Sequence, residues 1–363
     1  MPAQRCLYRC IASQCDGQGP QTCSAGNEHA AGNPVIVNAE IGNQVLSALR
    51  RRGLDIENVC GMQRLTGGAM QETWRIETTA PPPLDRLILR RAPLNSEPRL
   101  GTISLAAQAS ISETARSHGV PGPEVIAVLN DSDNLGDGFL MSCVDGETVP
   151  RRVLKKPSLE RARAKLVGQC GRHLATLHDV PISSLPVLPR ISAREKLENL
   201  HDQYRRQQRP RPVFDLAFSW LQRHLPASEP DPYLVHGDFR NGNLIVDENG
   251  IAAVLDWERA FIGDPMFDVG WLCVGSWRFG EIDLPVGGFG SLADFITAYE
   301  DAGGKFDAAR TRFWEAYGIL DWGVTTVDLA IEGRDTQALE KAAIGRRTTE
   351  TEIDLIRLMR PHE

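Results

Sequence analysis

The stretch Val235-His236-Gly237-Asp238-Phe239-Arg240-Asn241-Gly242-Asn243 sets a carboxylate and an amide, Asp238 and Asn243, in a short segment rich in turn formers. Apolar runs flank it, Tyr233-Leu234-Val235 before and Leu244-Ile245-Val246 after, so a loop held between two strands carries both groups. A further oxygen donor, Asp256, ends the apolar run Ile251-Ala252-Ala253-Val254-Leu255. Phosphoryl transfer from ATP asks for this set in this order. One carboxylate orients the attacking hydroxyl, while an amide oxygen and a second carboxylate hold Mg²⁺ against the phosphates. Asp238 is therefore the candidate catalytic residue, and Asn243 and Asp256 are the candidate metal ligands.

Positioning these groups takes two bodies of secondary structure. Ahead of the loop, apolar and alternating runs predict strands over 56–65, 71–77, 86–90, 124–128 and 138–143. One helix over 102–117 interrupts them, with Ile103, Leu105, Ala106, Ala109 and Ile111 on its apolar side, and a short helix over 40–51 precedes them. Later, helical spacing dominates: 159–178, 192–208, 213–225, 291–302, 308–331 and 336–359. In the first of these, Leu166, Val167, Cys170, Leu174 and Leu177 form one stripe. The fold class expected is α+β: an antiparallel-sheet lobe over 34–146, then a larger, mainly helical lobe over 147–363. Residues 1–33 show no periodicity and read as a disordered tail.

Composition narrows the class. A chain of 363 residues with 42% hydrophobic and 24% charged residues is that of an ordinary soluble globular protein. A net charge of −7 excludes a general nucleic-acid binder, which needs a basic surface to neutralise phosphates. No apolar run has the length of a membrane span, and the N-terminus lacks a signal-peptide core, so the cytoplasm is the expected location. Cys6, Cys10, Cys15 and Cys23 crowd the tail without zinc-site spacing, and Cys60, Cys143, Cys170 and Cys273 are expected as buried small hydrophobes.

Taken together, His236-Gly-Asp238-x4-Asn243, Asp256-Trp257-Glu258 and Gly263-Asp264-Pro265-x2-Asp268 resemble the aminoglycoside phosphotransferase family, a branch of the protein-kinase-like fold. The likeness runs from about residue 59 to the C-terminus. It implies a two-lobed fold with ATP or GTP in the cleft, Mg²⁺ as cofactor and a small-molecule hydroxyl as acceptor. In that frame Gly67 and Gly68 form a hairpin tip whose backbone N–H groups approach the phosphates without a Cβ in the way. Arg90 stands where kinases carry a phosphate-holding Lys, and a guanidinium can hold phosphate oxygens bidentately. Gln108 stands where the helix Glu pairs with that Lys; an amide can hydrogen-bond Arg90 but brings no charge. Met141-Ser142-Cys143-Val144-Asp145-Gly146 matches the hinge, whose backbone at Ser142 and Val144 would read the adenine edge. Arg240 lies where many kinases carry a Lys facing the γ-phosphate and is a candidate to stabilise charge on the transferring group. The position of Asp268 implies an anchor for the catalytic loop, and His178 reads as a structural hydrogen-bonder.

Arg at position 90 is similar to a subgroup, the kinase domains found joined to acyl-CoA dehydrogenases, and this points towards hydroxyacyl thioesters as acceptors. Trp277, Arg278, Phe289 and Trp322, alongside Glu281 and Asp283, suit a partly apolar, anionic acceptor. The expected function is transfer of the γ-phosphoryl group to a substrate hydroxyl. Two other readings stay open: a non-catalytic pseudokinase module, favoured by Arg90 with Gln108, and a hydrolase using His236 with the carboxylates, for which no G-x-S-x-G motif is present. Oligomeric state has no signal in the sequence.

Overall fold

A computed structural model describes residues 39–65, 71–93, 102–228 and 230–360. The cysteine-rich tail and the loop with Gly67 and Gly68 lie outside the described residues. Helix α1 (Ala39–Arg51) buries Ile41, Val45, Leu46, Ala48 and Leu49, the helical spacing of its sequence. Arg51 and Arg52 at its end both pair with the buried Asp133, which ties the helix to the sheet that follows.

That sheet is antiparallel and five-stranded: β1 (Val59–Leu65), β2 (Glu72–Thr78), β3 (Arg86–Arg91), β4 (Val125–Val128) and β5 (Gly138–Ser142), in the order β1-β2-β3-β5-β4. Helix α2 (Leu105–Ser117) connects β3 to β4 and is capped by Ser104, whose Oγ accepts from the Ala107 N–H. Alternation along β3 decides what reaches the cleft. Leu87 and Leu89 point into the core with Trp74, Ile76 and Leu140, so Arg90, between Thr73 and Phe139 in the register, points to the opposite face.

The rest of the chain is mainly helical. Helices α3 (Pro150–Lys155), α4 (Glu160–His178), α5 (Ala193–Arg206) and α6 (Pro212–Arg223) lead to β6 (Tyr233–Val235). Strands β7 (Leu244–Asp247), β8 (Gly250–Val254) and β9 (Phe261–Gly263) follow, then α7 (Met266–Cys273), α8 (Leu292–Asp301), α9 (Ala308–Asp335), α10 (Leu339–Gly345) and α11 (Thr348–Met359). β6 pairs with β9 and β7 with β8, so two short ribbons bracket residues 236–243 and 255–260. Beneath them lies one core that takes the α4 stripe together with Phe214, Phe267, Phe295, Trp314 and Leu355. The antiparallel sheet followed by a helical body is the α+β arrangement expected.

Two details differ from expectation. The helical pattern over 336–359 is broken into α10 and α11, and α9 continues to Asp335 with Thr336 as its cap. The chain reverses at Gln337, in the left-handed region at φ 57. Returning along α9, it packs so closely that a Cβ on Gly345 would lie 2.4 Å from that of Ala330. This reversal lies close to the interruption expected between the helices over 308–331 and 336–359, whereas the break at Arg346 and Arg347 falls in a polar stretch that was read as continuous helix. The second difference is Cys60, which is exposed on β1, and Cys143, which is half-buried; only Cys170 and Cys273 are buried as expected.

Candidate functional site

Asp238 sits in the loop between β6 and β7, 8% exposed, with each carboxylate oxygen held by a donor. Oδ1 accepts from Arg240 Nε at 2.9 Å and from the indole N–H of Trp271 at 2.8 Å, and Oδ2 accepts from Asn243 Nδ2 at 2.6 Å. A carboxylate has about four lone-pair sites, so capacity remains for an acceptor hydroxyl while the group's direction is fixed.

The loop backbone is pinned from below. Asp268, at the start of α7 and fully buried, accepts from the N–H groups of His236 at 2.8 Å and Gly237 at 2.9 Å. Gly237 has φ +78 and packs against the Arg259 carbonyl, which a Cβ would approach to 2.2 Å, so only glycine fits. His178 lies 3.3 Å from Asp268 through Nε2 and 2.8 Å from the Tyr299 hydroxyl through Nδ1, the structural role expected of it. His236 is fully occupied too. An amide N–H only donates, so its Nδ1 accepts from Asp238 N at 3.1 Å and its Nε2 carries the proton to the Leu255 carbonyl at 3.1 Å. Burial pushes its pKa down and keeps the ring neutral.

Asn243 spends its amide N–H groups on Asp238, on the backbone carbonyl at 2.9 Å as well as the carboxylate. Among the described residues its Oδ1 takes no hydrogen bond. Asp256 opens the turn after β8 at φ 72 and ψ 66, a left-handed conformation that Asp adopts more readily than most residues. Its Oδ1 accepts from Arg90 Nη2 at 2.8 Å, an ion pair that spans the cleft from sheet to loop. Burial opposes the charge on Asp256, but Arg90 and then Arg240 hold its pKa below the usual carboxylate range. Glu258, two residues on, moves the other way: burial and the neighbouring Asp256 push it up.

The other predicted residues are also placed. Arg90 takes its second partner from Gln71, Nε to Oε1 at 2.7 Å, and the expected hydrogen bond to Gln108 is not formed. Gln108 is buried at 2% exposure, gives its amide N–H to the Ile103 carbonyl at 3.1 Å and leaves its Oε1 without a partner among the described residues. Glu113 has turned to Arg116 on the outer face of α2. In the hinge, Ser142 N donates to the Glu124 carbonyl at 2.9 Å, whereas Val144 makes no backbone hydrogen bond among the described residues. Arg240, besides holding Asp238, lies with Cζ 4.6 Å above the Trp277 ring.

Some of the side chains expected to face an acceptor are spent elsewhere. Arg278 donates to the Cys273 carbonyl at 2.7 Å and pairs with Glu315 at 3.0 Å, Glu281 pairs with Lys155, and Phe289 is buried. What sequence reasoning missed is the part played by Trp271 and Gln71. The indole N–H of Trp271 reaches Asp238 because α7 is fixed by Asp268 three residues earlier, and that spacing was the available signal. Gln71 had none, standing just ahead of β2 outside any periodic run.

The arrangement can orient a hydroxyl at Asp238 and present two hard oxygen donors, Asn243 Oδ1 and Asp256 Oδ2, to a divalent cation. No group of three or more His, Cys, Asp or Glu residues suited to a metal occurs among the described residues. A Mg²⁺ bound through one carboxylate, one amide and substrate phosphates needs no such group, so the donor set fits that ion. No helix among the described residues is long and apolar enough to cross a membrane.

Comparison with known proteins identifies the family and the fold. A phosphotransferase enzyme family, APH, matches residues 61–314. Acyl-CoA dehydrogenase family member 10 of Mus musculus is 30% identical over 210 residues, 52% of this chain and 18% of that protein. Probable acyl-CoA dehydrogenase IBR3 of Arabidopsis thaliana is 26% identical over 289 residues, 70% of this chain and 34% of that protein. The chain thus spans about a third or less of the length of these relatives. Among solved structures, a Ralstonia eutropha protein assigned to the aminoglycoside phosphotransferases superposes with a TM-score of 0.67 at 20% identity, covering 85% of this chain and 95% of the other. The aminoglycoside phosphotransferase APH(4)-Ia, in a ternary complex with AMP-PNP and hygromycin B, gives 0.58 at 16% identity, covering 89% and 99%. At these identities the superpositions show a shared fold, the kinase-like one. The family match runs from β1 into α9 and encloses the whole loop and cleft: the chain belongs to the APH phosphotransferase enzyme family.

Proposed function

We propose that this protein transfers the γ-phosphoryl group of ATP or GTP to a hydroxyl of a small molecule. The observation that carries the reading is the meeting, in one cleft, of Asp238, Asn243 and Asp256 with Arg90 reaching across from β3. Solved relatives of the same fold are complexed with AMP-PNP or with GDP, so either nucleotide is a reasonable donor to test. Asp238 orients the acceptor hydroxyl and takes its proton as the O–P bond forms. Arg240, locked between Asp238 and Trp277, places positive charge beside the transferring group. Asn243 and Asp256 hold Mg²⁺, which neutralises phosphate charge when bound. Arg90 holds phosphate oxygens, with Gly67 and Gly68 covering them, and the backbone at Ser142 and Val144 reads the base. Gln108 supports the cleft from α2 without touching Arg90. A nucleotide donor fits a cytoplasmic location.

The likeness to acyl-CoA dehydrogenase proteins favours a hydroxyacyl or other partly apolar acceptor. The hydrolase reading loses its support, since both nitrogens of His236 are committed to backbone groups. The pseudokinase reading makes a separate claim that measurement can decide. Mg²⁺-dependent consumption of ATP or GTP in a screen of hydroxylated metabolites is the expected result; tight nucleotide binding with no turnover on any acceptor would favour the non-catalytic module.

A further inference from the structure

Next to Trp271, which donates to Asp238, two cations lie along one row of aromatic rings. Phe267 and Trp271, one turn apart on α7, stack nearly parallel at 6.1 Å and 11°. Arg259 has Cζ 4.8 Å above the Trp271 ring, and Lys196 has Nζ 4.9 Å above the Phe267 ring and 4.0 Å above that of Phe261. One indole therefore separates the Arg259 guanidinium from the catalytic carboxylate, because the same Trp271 donates to Asp238 Oδ1 at 2.8 Å.

The charges around this pair do not balance. Arg259 is matched by Asp321, Nη2 to Oδ2 at 2.7 Å. Lys196 has no hydrogen bond or ion pair from its ammonium among the described residues. The remaining carboxylate that its charge feels, Asp268, is fully buried and already accepts from two backbone N–H groups. Three N–H donors are thus left facing two phenyl rings, while burial and the adjacent Arg259 weigh against the charge and push its pKa down to about 7. As Leu or Met the residue would forfeit only the attraction to the faces of Phe261 and Phe267; a Lys there also carries a desolvation cost that an anion would offset. Lys196 is half-buried as a whole residue, and the Arg259 side chain is 31% exposed.

We infer that Lys196 and Arg259 recognise a carboxylate carried by the acceptor, whose hydroxyl then lies at Asp238, so that the acceptor is a hydroxy acid. The inference rests on the kinase reading for the role of Asp238, but the anion site itself does not depend on that reading. In the balanced step, the acceptor oxygen gains the γ-phosphoryl group, the bond to the β-phosphate oxygen breaks, and the hydroxyl proton passes to Asp238. The acceptor carboxylate stays ionised at Lys196 throughout.

The test is equilibrium binding by isothermal titration, with and without Mg-AMP-PNP, of ω-hydroxy carboxylates from hydroxybutyrate to hydroxydecanoate and of their primary amides. Wild-type protein is expected to bind at least one acid about tenfold to a hundredfold more tightly than its amide, the range for a charge-assisted hydrogen bond. Lys196→Met is expected to abolish that preference while leaving amide and nucleotide affinity in place, and Lys196→Arg to restore part of it. Arg259→Gln, which also frees Asp321, is read only beside the Lys196 variants. If no acid outbinds its amide, or if Lys196→Met leaves the ratio unchanged, the inference is overturned. Nucleotide binding without acid preference would overturn this inference and leave the kinase reading standing. Acid preference without nucleotide binding would do the reverse.

Discussion

The two walls of the cleft are built to different standards. On the loop wall, Asp238, His236 and Asp268 each bond to a group on a neighbouring element, and Asn243 is tied to Asp238 within the loop. On the sheet wall, the corresponding supports are loose. Gln108 leaves its Oε1 without a partner among the described residues, Glu113 faces outward to Arg116, and Arg90 is steadied by Gln71 and by the opposite wall. The contrast teaches where preorganisation resides. The groups proposed to act on the acceptor are fixed by the larger body, while the arginine proposed to hold phosphate is fixed by Gln71 and by its partner across the gap.

If the loop wall carries the chemistry, its removal should have the largest effect. Asp238→Asn is expected to lower the transfer rate by about 10² to 10⁴, the usual cost of losing a positioned base. An amide at this position also turns an N–H towards a donor, Trp271 and Arg240 on one side or Asn243 on the other. Nucleotide affinity should stay within a few-fold. Turnover near that of wild type under saturating nucleotide and acceptor would take Asp238 out of the reaction.

Asp268→Ala tests the support beneath that wall. The change strands two buried backbone N–H groups and leaves His178 facing a cavity, so a stability loss of about 2–5 kcal/mol is expected in urea unfolding. A shift of less than 1 kcal/mol, taken as roughly the worth of a single neutral hydrogen bond, would mean that the loop holds its shape without the anchor.

Arg90→Ala addresses the sheet wall and should be milder. Losing a charge-assisted contact to phosphate weakens nucleotide binding by about tenfold to a hundredfold, read by titration in the presence of Mg²⁺. Without Mg²⁺ the loss should be larger still, since Arg240 alone then offsets Asp256 beside the phosphates. Equal affinity for wild type and variant would assign Arg90 to the Asp256 pair alone.

The same division sets what could be read from the sequence. The loop wall was legible because its residues are close in the chain: Asp238 and Asn243 share one loop, Asp256 ends a strand soon after, and Asp268 follows at the start of α7. Local spacing fixes such geometry once the flanking strands form. The sheet wall depends on contacts between distant segments. Arg90 meets Asp256 across 166 positions, and Gln71 stands ahead of β2 with no pattern of its own. Helical period placed Gln108 on the right helix but could not give the rotation of α2 about its axis, which is set by the Ser104 cap and by the Ile103 N–H bonded to the Glu258 carbonyl at 3.1 Å. The break between α10 and α11 falls at Arg346 and Arg347, within a polar stretch from Gly345 to Glu352 where the apolar period lapses, so periodicity held no support for one helix across it.

The smallest expected effect is the most specific test of the contrast. Were Gln108 the partner of Arg90, replacing the pair by Lys and Glu would recreate an ion pair, and the double variant would bind nucleotide better than the single changes predict. The geometry argues otherwise, because Gln108 bonds to the Ile103 carbonyl and Arg90 to Gln71 and Asp256. Arg90→Lys and Gln108→Glu should therefore combine additively in nucleotide affinity, with a coupling below about 0.5 kcal/mol, as for residues that share no partner. Gln108→Glu alone would bury a carboxylate without a partner and lower stability, so the cycle is run beside Gln108→Met. That substitution loses one hydrogen bond but also removes the unpartnered oxygen, and is expected to change stability by no more than about 1 kcal/mol. A coupling well above the additive limit, seen only with nucleotide present, would mean that α2 turns when the cleft fills and brings Gln108 to Arg90. The sheet wall would then be completed by its ligand rather than left loose.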